Sequence, residues 1–256
     1  MKPVVYFNGT FVPTDEAKVS VLDGGWLHGA GLFETMRAEN GRVFRAESHM
    51  ARLIKSASEL LRPVSREDLP SRVDLLELLQ RNELATARVR LTVSAGSMQA
   101  AAEDDPPLTV CATASPLSPP STQLYETGVP VVICGFRQSP SDPLAGHKTT
   151  AYLGRLLGLR HAQRGRCYEA LWFTTANRLA EGSISNVFLV KERVLKTPPL
   201  DTPVLPGIAR GVVLDLARDA GIEAQECPLT IDDLLDADEV ILTNAIMQVM
   251  PVARVE

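Results

Sequence analysis

The spacing of apolar residues changes period several times along the chain, and each change marks an element. "VVYFNGTFVP", residues 4–13, sets two short apolar runs around Asn8-Gly9. Such runs on either side of Asn-Gly predict a tight β-hairpin. "GLFETMRAENGRVFRAE", residues 31–47, repeats the arrangement around Asn40-Gly41. Over 47–61 the period becomes helical, with Met50, Leu53, Ile54, Ala57, Leu60 and Leu61 on one stripe. A second helix is expected over about 66–81, and "ARVRLTVSAG" and "LTVCATAS" read as strands.

"SPLSPPST", residues 115–122, interrupts the pattern. Three prolines among polar residues hold neither a helix nor a central strand, so the segment reads as a linker. The expected domains are therefore 1–114 and 123–256, joined by 115–122. Beyond the linker, "GVPVVICGF" reads as a strand. A helix is expected over 149–164, with Leu153, Leu156 and Leu157 at helical spacing and Thr149 or Thr150 able to cap it. "YEALWFTT" and "ISNVFLVKE" read as strands around a short turned segment. "GIARGVVLDLARDAG" reads as a helix stopped by Gly221, "TIDDLLDAD" as a short capped helix and "EVILTNAIM" as a final strand. Both halves mix strands and helices without regular βαβ alternation, so the expected class is α/β (α+β) in two domains rather than a doubly wound sheet. No G-x-G-x-x-G, P-loop or G-x-S-x-G motif occurs.

Composition narrows the function classes. The 256 residues suffice for one large domain or two modest ones, and the net charge of −5 with scattered basic residues argues against a nucleic-acid partner. Cys111, Cys134, Cys167 and Cys227 lie far apart, as do His28, His49, His147 and His161. Neither a disulfide framework nor a metal site is expected from such spacing. No apolar run is long enough to span a membrane and the first residues lack the core of a signal peptide, so a cytoplasmic location is the default, with no membrane partner.

Five positions carry candidate chemistry. Lys148 stands just ahead of the expected helix at 149, where a helix dipole disfavours a cation. It is either a solvated loop lysine or an amine meant to lose its proton. Pro206-Gly207 opens a helix whose first amides, on Gly207, Ile208 and Ala209, could bind an anion, or it is simply a turn before a surface helix. Glu181, before a Gly-Ser turn, is an exposed turn residue or a carboxylate for a protonated ring nitrogen. Arg52 lies off the apolar stripe of its helix, facing solvent or reaching an anion. Thr243 sits in "LTNA". Arginine, lysine, glutamate, helix start and threonine are together the groups needed to hold a pyridine ring bearing an aldehyde and a phosphate, which is pyridoxal 5'-phosphate.

The order of these groups, with "FNGTFVP", "GAGLFETMR", "HMARL", "HKTTAYL", "AEGSISNVFLV", "LPGIARGVV" and "LTNAIMQVMPV", resembles the class IV aminotransferases, the fold type IV pyridoxal-phosphate enzymes, over essentially the whole chain. The resemblance implies a small N-terminal α/β domain, a larger C-terminal mixed α/β domain and a homodimer. It implies that Lys148 is the Schiff-base lysine and proton shuttle, with Tyr152 near it. Glu181 would pair with the pyridine nitrogen, Leu205 would pack on the ring, and Arg52, Ile208, Ala209 and Thr243 would hold the phosphate. The family usually has threonine where Ala209 stands. Phe33, Thr35 and Arg37 on the "GLFETMR" strand would face the amino-bearing substrate.

Two reactions are implied by the family. The pattern of Asn244 followed by an apolar pair and "MPV" is similar to 4-amino-4-deoxychorismate lyases, which release pyruvate and 4-aminobenzoate in folate synthesis. The first expectation is therefore this lyase, with Asn244 among the substrate residues. The alternative is an aminotransferase acting on branched-chain or D-amino acids with a 2-oxo acid acceptor. "SAGSMQAA", residues 94–101, lacks the arginine and histidine of D-amino-acid aminotransferases and also departs from the lyase pattern. A non-catalytic relative would be expected to lose Lys148 or Glu181, and both are present.

Overall fold

A computed structural model describes residues 2–97 and 107–256. The chain folds as two compact units, Met1–Ser118 with Lys148–Tyr152, and Pro119–His147 with Leu153–Glu256. Among the described residues there are two sheets and seven helices, and none of the helices is long and apolar enough to cross a membrane.

In the first unit, β1 (Val4–Phe7) and β2 (Thr10–Pro13) form the expected hairpin, with Asn8 and Gly9 at φ 46° and 86°. Both values suit the left-handed turn that Asn-Gly favours. Next come α1 (Gly24–His28), capped by the Asp23 side chain, and the hairpin of β3 (Gly31–Glu39) and β4 (Arg42–Val43). The helix α2 (Ala46–Leu60) matches the expected stripe, with Met50, Leu53 and Ala57 buried and Ile54, Leu60 and Leu61 partly so. The next helix, α3, covers only Arg72–Arg81 of the expected 66–81. Ser71 and Asp74 close a capping box that fixes its start six residues later. With β5 (Ala87–Ser94) and β6 (Thr109–Pro116), the sheet runs β2-β1-β6-β5-β3-β4, antiparallel throughout. Alternation along the strands sends Leu32, Met36 and Ala38 with Val89, Leu91 and Val93 into a core shared with α2 and α3. The opposite parity sets Phe33, Thr35 and Arg37 against Thr92, Arg90 and Arg88.

The second unit contains α4 (Thr122–Thr127), β7 (Val129–Gln138), α5 (Leu153–Arg164), β8 (Glu169–Thr174), β9 (Leu179–Gly182), β10 (Asn186–Lys191), β11 (Val194–Thr197), α6 (Ile208–Asp219), β12 (Ala224–Glu226), α7 (Ile231–Leu235), β13 (Glu239–Asn244) and β14 (Gln248–Val255). Its mixed sheet has the order β12-β11-β10-β13-β14-β7-β8-β9. The turned segment expected between β8 and β10 contains a strand, β9, and Glu181 lies on it.

The helix expected over 149–164 begins at Leu153. The four residues before it do not join, because Thr149 is bridged to Leu32, the Thr150 N–H donates to the Gly31 carbonyl, and the Tyr152 N–H turns back to the Thr150 carbonyl at 2.7 Å. Its apolar stripe also differs. Leu153, Leu156 and Leu157 are exposed, whereas the buried residues are Gly158 and Ala162. A Cβ on Gly158 would come within 2.7 Å of Ser183 Oγ and 2.8 Å of Trp172, so this helix packs through its smallest residues rather than its largest. Gly158→Val is expected to cost about 1–3 kcal/mol by overpacking, measurable as a lower urea midpoint; an unchanged midpoint would contradict this contact.

Candidate active site

The first unit builds one cluster around Lys148. The Phe33 N–H donates to the Lys148 carbonyl at 2.9 Å, and Thr150 N–H to the Gly31 carbonyl at 2.8 Å. The Thr150 hydroxyl donates to the Gly29 carbonyl at 2.8 Å. Gly31 permits this approach, since a Cβ there would lie 3.0 Å from Thr150 Oγ1 and 2.9 Å from the Val93 carbonyl. These bonds register the lysine opposite Phe33. Its Nζ lies 4.5 Å from the Phe33 ring centroid and 5.5 Å from that of Tyr152, and the two rings meet edge to face at 5.2 Å. The helix α5 begins five residues downstream, so Lys148 does not directly precede its first turn, and its backbone pairs with β3 instead.

Arg90 shares the Phe33 ring, with its guanidinium carbon 3.9 Å from the centroid. It donates to Thr92 Oγ1 at 3.3 Å, and among the described residues no carboxylate pairs with it. Burial, then the neighbouring Arg88, pull the Arg90 pKa down. Thr35 is its cross-strand partner. Sequence reasoning missed Arg90. Its signal was the alternation of "RVRLTV", which sets Arg88, Arg90 and Thr92 on the face opposite the core.

Arg52 is not a solvent-facing residue, since its side chain is 10% exposed. It grips the buried Glu34 with two nitrogens, Nε to Oε1 at 2.7 Å and a terminal nitrogen to Oε2 at 2.5 Å. His49 Nδ1 lies 2.7 Å from the same Oε2. Glu34 has the core-facing parity of β3, and it is tolerated there because two side chains of α2 meet it. Burial pushes its carboxyl up, but the Arg52 charge and the hydrogen bonds from His49 and Arg52 outweigh that and hold its pKa at about 2.

The second unit holds the remaining candidates. Glu181 Oε1 accepts from Arg155 at 2.5 Å and its Oε2 accepts from the Leu205 N–H at 3.0 Å. The Leu205 carbonyl in turn accepts from Asn186 Nδ2 at 2.9 Å. Ile208 and Ala209 open α6, whose N-cap, Gly207, offers no side-chain hydrogen bond to the first amides. A Cβ on Gly207 would collide with Asn186 Oδ1, so glycine here lets the Asn186 side chain lie against the helix start. Asn186 is directly opposite Thr243 in the β10–β13 pair, which puts the two side chains on one face. The Thr243 hydroxyl is buried and has no hydrogen-bond partner among the described residues. Leaving such a group unsatisfied costs about 1–3 kcal/mol. An uncapped helix start opened by a glycine and an orphaned hydroxyl suit a phosphate, and the residues present fit pyridoxal phosphate.

Asn244 is spent on the backbone. Its Oδ1 accepts from Ile246 and Met247 N–H at 2.9 and 2.8 Å, and its Nδ2 donates to the Ile184 carbonyl at 3.2 Å. Of the segment 94–101, residues 98–101 lie outside the described residues. Among the described residues no cluster of His, Cys, Asp and Glu could hold a metal ion.

Comparison with known proteins agrees with this chemistry. The family model for class IV aminotransferases matches residues 31–255. A Methanocaldococcus jannaschii protein provisionally named a branched-chain amino-acid aminotransferase is 37% identical over 98% of this chain and 88% of its own length. The aminodeoxychorismate lyase of Bacillus subtilis is 31% identical over 99% of this chain and 87% of its own. The solved Escherichia coli branched-chain aminotransferase superposes with a TM-score of 0.89 at 29% identity, covering 100% of this chain and 87% of the other.

The depressed Glu34 pKa has a consequence for stability. A carboxyl held near 2 in the fold and near 4.5 when unfolded contributes stability that is complete above about pH 4.5 and is lost as pH falls towards 2. Glu34→Gln should destabilise the protein by about 3–5 kcal/mol at neutral pH, by leaving Arg52 without its buried partner. It should also flatten the acid limb of the stability curve over that range. Urea titrations at several pH values check this, and an acid limb as steep as that of the unmutated protein would refute it.

Proposed function

The chain belongs to the class IV aminotransferases, enzymes that use pyridoxal phosphate, and on that premise we propose that it is an aminotransferase moving the amino group of a branched-chain amino acid onto a 2-oxo acid. What carries the reading is the Phe33 ring, which an amine and a guanidinium with no carboxylate partner among the described residues both approach. Amino acids and 2-oxo acids each bring a carboxylate for Arg90, whose partial burial strengthens that attraction. The full-length similarity to proteins named branched-chain aminotransferases supports the choice of side chain.

In this proposal each residue has a separate task. Pyridoxal phosphate, when bound, supplies an aldehyde that takes up amines and a ring that accepts electrons from the adjoining carbon. Lys148 would be the amine that holds the aldehyde, and it would also move the proton at the substrate α-carbon. Tyr152 and Phe33 confine the lysine amine, and Thr35 lines the substrate side with Phe33. Glu181 faces the ring nitrogen and Leu205 packs on the ring. The Ile208 and Ala209 amides, the Thr243 hydroxyl and Arg52 bind the phosphate, and Glu34 with His49 fixes the orientation of Arg52. Asn244 shapes the turn after β13 on the substrate side.

A second reading is the lyase, which splits 4-amino-4-deoxychorismate into pyruvate and 4-aminobenzoate. The full-length similarity to the Bacillus subtilis lyase favours it. A homodimer belongs to either reading. Val21, Trp26 and Leu27 are 69, 74 and 46% exposed, a surface suited to burial against a second copy.

Purified protein given L-leucine, L-isoleucine or L-valine with 2-oxoglutarate should form glutamate. Turnover of aminodeoxychorismate alone would instead establish the lyase. Arg90→Gln should raise KM for 2-oxoglutarate by at least ~10-fold, equivalent to losing one charge-assisted hydrogen bond of about 1.5–3 kcal/mol, and Lys148→Ala should abolish turnover. A KM unchanged in Arg90→Gln would remove Arg90 from the substrate site. In light scattering, Trp26→Asp should shift a dimer towards monomer; an unmutated protein that is already monomeric would refute the dimer.

A further inference from the structure

Glu181 is held on both oxygens by its own unit. The guanidinium on Oε1 belongs to Arg155, in the first turn of α5. Arg155 also donates to Gln138 Oε1 at 3.0 Å, points another nitrogen at the Gly182 carbonyl at 3.5 Å and lies 4.9 Å from the Trp172 ring centroid. Contacts from β7, β8 and β9 therefore fix it, and its side chain is 20% exposed against 7% for Glu181. Two hydrogen bonds leave the carboxylate further acceptor positions, since each oxygen can accept two. The other buried carboxylate here, Glu169, is turned into the Gly182–Ser185 turn. It accepts from the N–H groups of Ala170, Ser183 and Ile184 and from the Ser185 hydroxyl.

We propose that Arg155 is a positioning residue for Glu181: it fixes the carboxylate and offsets part of its negative charge, so that Glu181 attracts the proton on the cofactor ring nitrogen less strongly than an unpaired glutamate would. The inference rests on the proposed pairing of Glu181 with that nitrogen. An arginine within hydrogen-bond reach sets the field at the carboxylate, and its stack on Trp172 and its bond to Gln138 keep it from swinging into water. Helix α5 thereby acquires a role. Gly158 and Ala162 bring it close to β8, and Arg155 extends from its first turn to the carboxylate.

The test is a pH titration of the holoenzyme loaded with pyridoxal phosphate carrying ¹⁵N in its ring, followed by the nitrogen resonance. In Arg155→Met, which removes the charge, the protonation midpoint should rise by about one pH unit or more, a tenfold change in proton affinity. Arg155→Lys, which keeps the charge, should stay near the unmutated protein. If the methionine variant does not fold, Arg155→Gln is neutral, can still hydrogen-bond Glu181 and should show the same rise. Superimposable titrations of the neutral variant and the unmutated holoenzyme would overturn the proposal. Glu181→Gln separates the two levels. It should drive the resonance to the unprotonated value whatever stands at 155, and a titration it leaves unchanged would overturn the Glu181 pairing and this inference with it.

Discussion

One antiparallel bridge governs the first unit's candidate chemistry. Lys148 is separated from Phe33 by more than a hundred residues, yet its carbonyl accepts the Phe33 N–H, and Thr150 repeats the contact two residues on. A flexible lysine side chain is useful only if its backbone is fixed, because the stem then restricts the amine to a small volume. Here the fixing group is a sheet rather than a helix. The bridge also explains why α5 starts late, and why glycines stand at 29 and 31, where Ala151 and Thr150 come close.

Buried charge organises the rest, and it is satisfied in three different ways. Glu34 is matched by a bidentate arginine and a histidine from one helix. Glu169 has no such cation among the described residues and is met instead by three backbone amides and a hydroxyl, which makes it the pin of the turn after Glu181. Glu181 is met by Arg155 and one backbone amide, and keeps acceptor capacity in reserve. Arg90 and the Thr243 hydroxyl lie at the other extreme, a partly buried cation and a buried hydroxyl whose natural partners are absent among the described residues. An unpaired buried polar group is a cost that a bound ligand can offset, which is why Arg90 and Thr243 enter the proposed site.

Local signals in the sequence were accurate where short-range geometry decides. The Asn-Gly hairpins, the stripe of α2 and the helix opened by Pro206-Gly207 appear where pattern and turn chemistry put them. The helix expected over 149–164 starts later, at Leu153, and Leu153, Leu156 and Leu157 are exposed. Thr149 is a plausible cap only if nothing else claims the backbone, and β3 claims it. Leu153, Leu156 and Leu157 have helical spacing, but the side that packs is the one carrying Gly158 and Ala162, where close approach matters more than apolar bulk.

Residue types and their order along the chain therefore determined the fold class, the family and the cofactor chemistry, because a lysine, a glutamate, a helix start and a threonine in that order are readable without coordinates. Which charges face each other was decided only by tertiary structure. Arg155 meets Glu181 across twenty-six residues, Arg90 meets Phe33 through strand register, and Asn186 meets both Gly207 and Thr243. Such pairings depend on register and helix placement, which the packing of the whole sheet sets and no local pattern encodes.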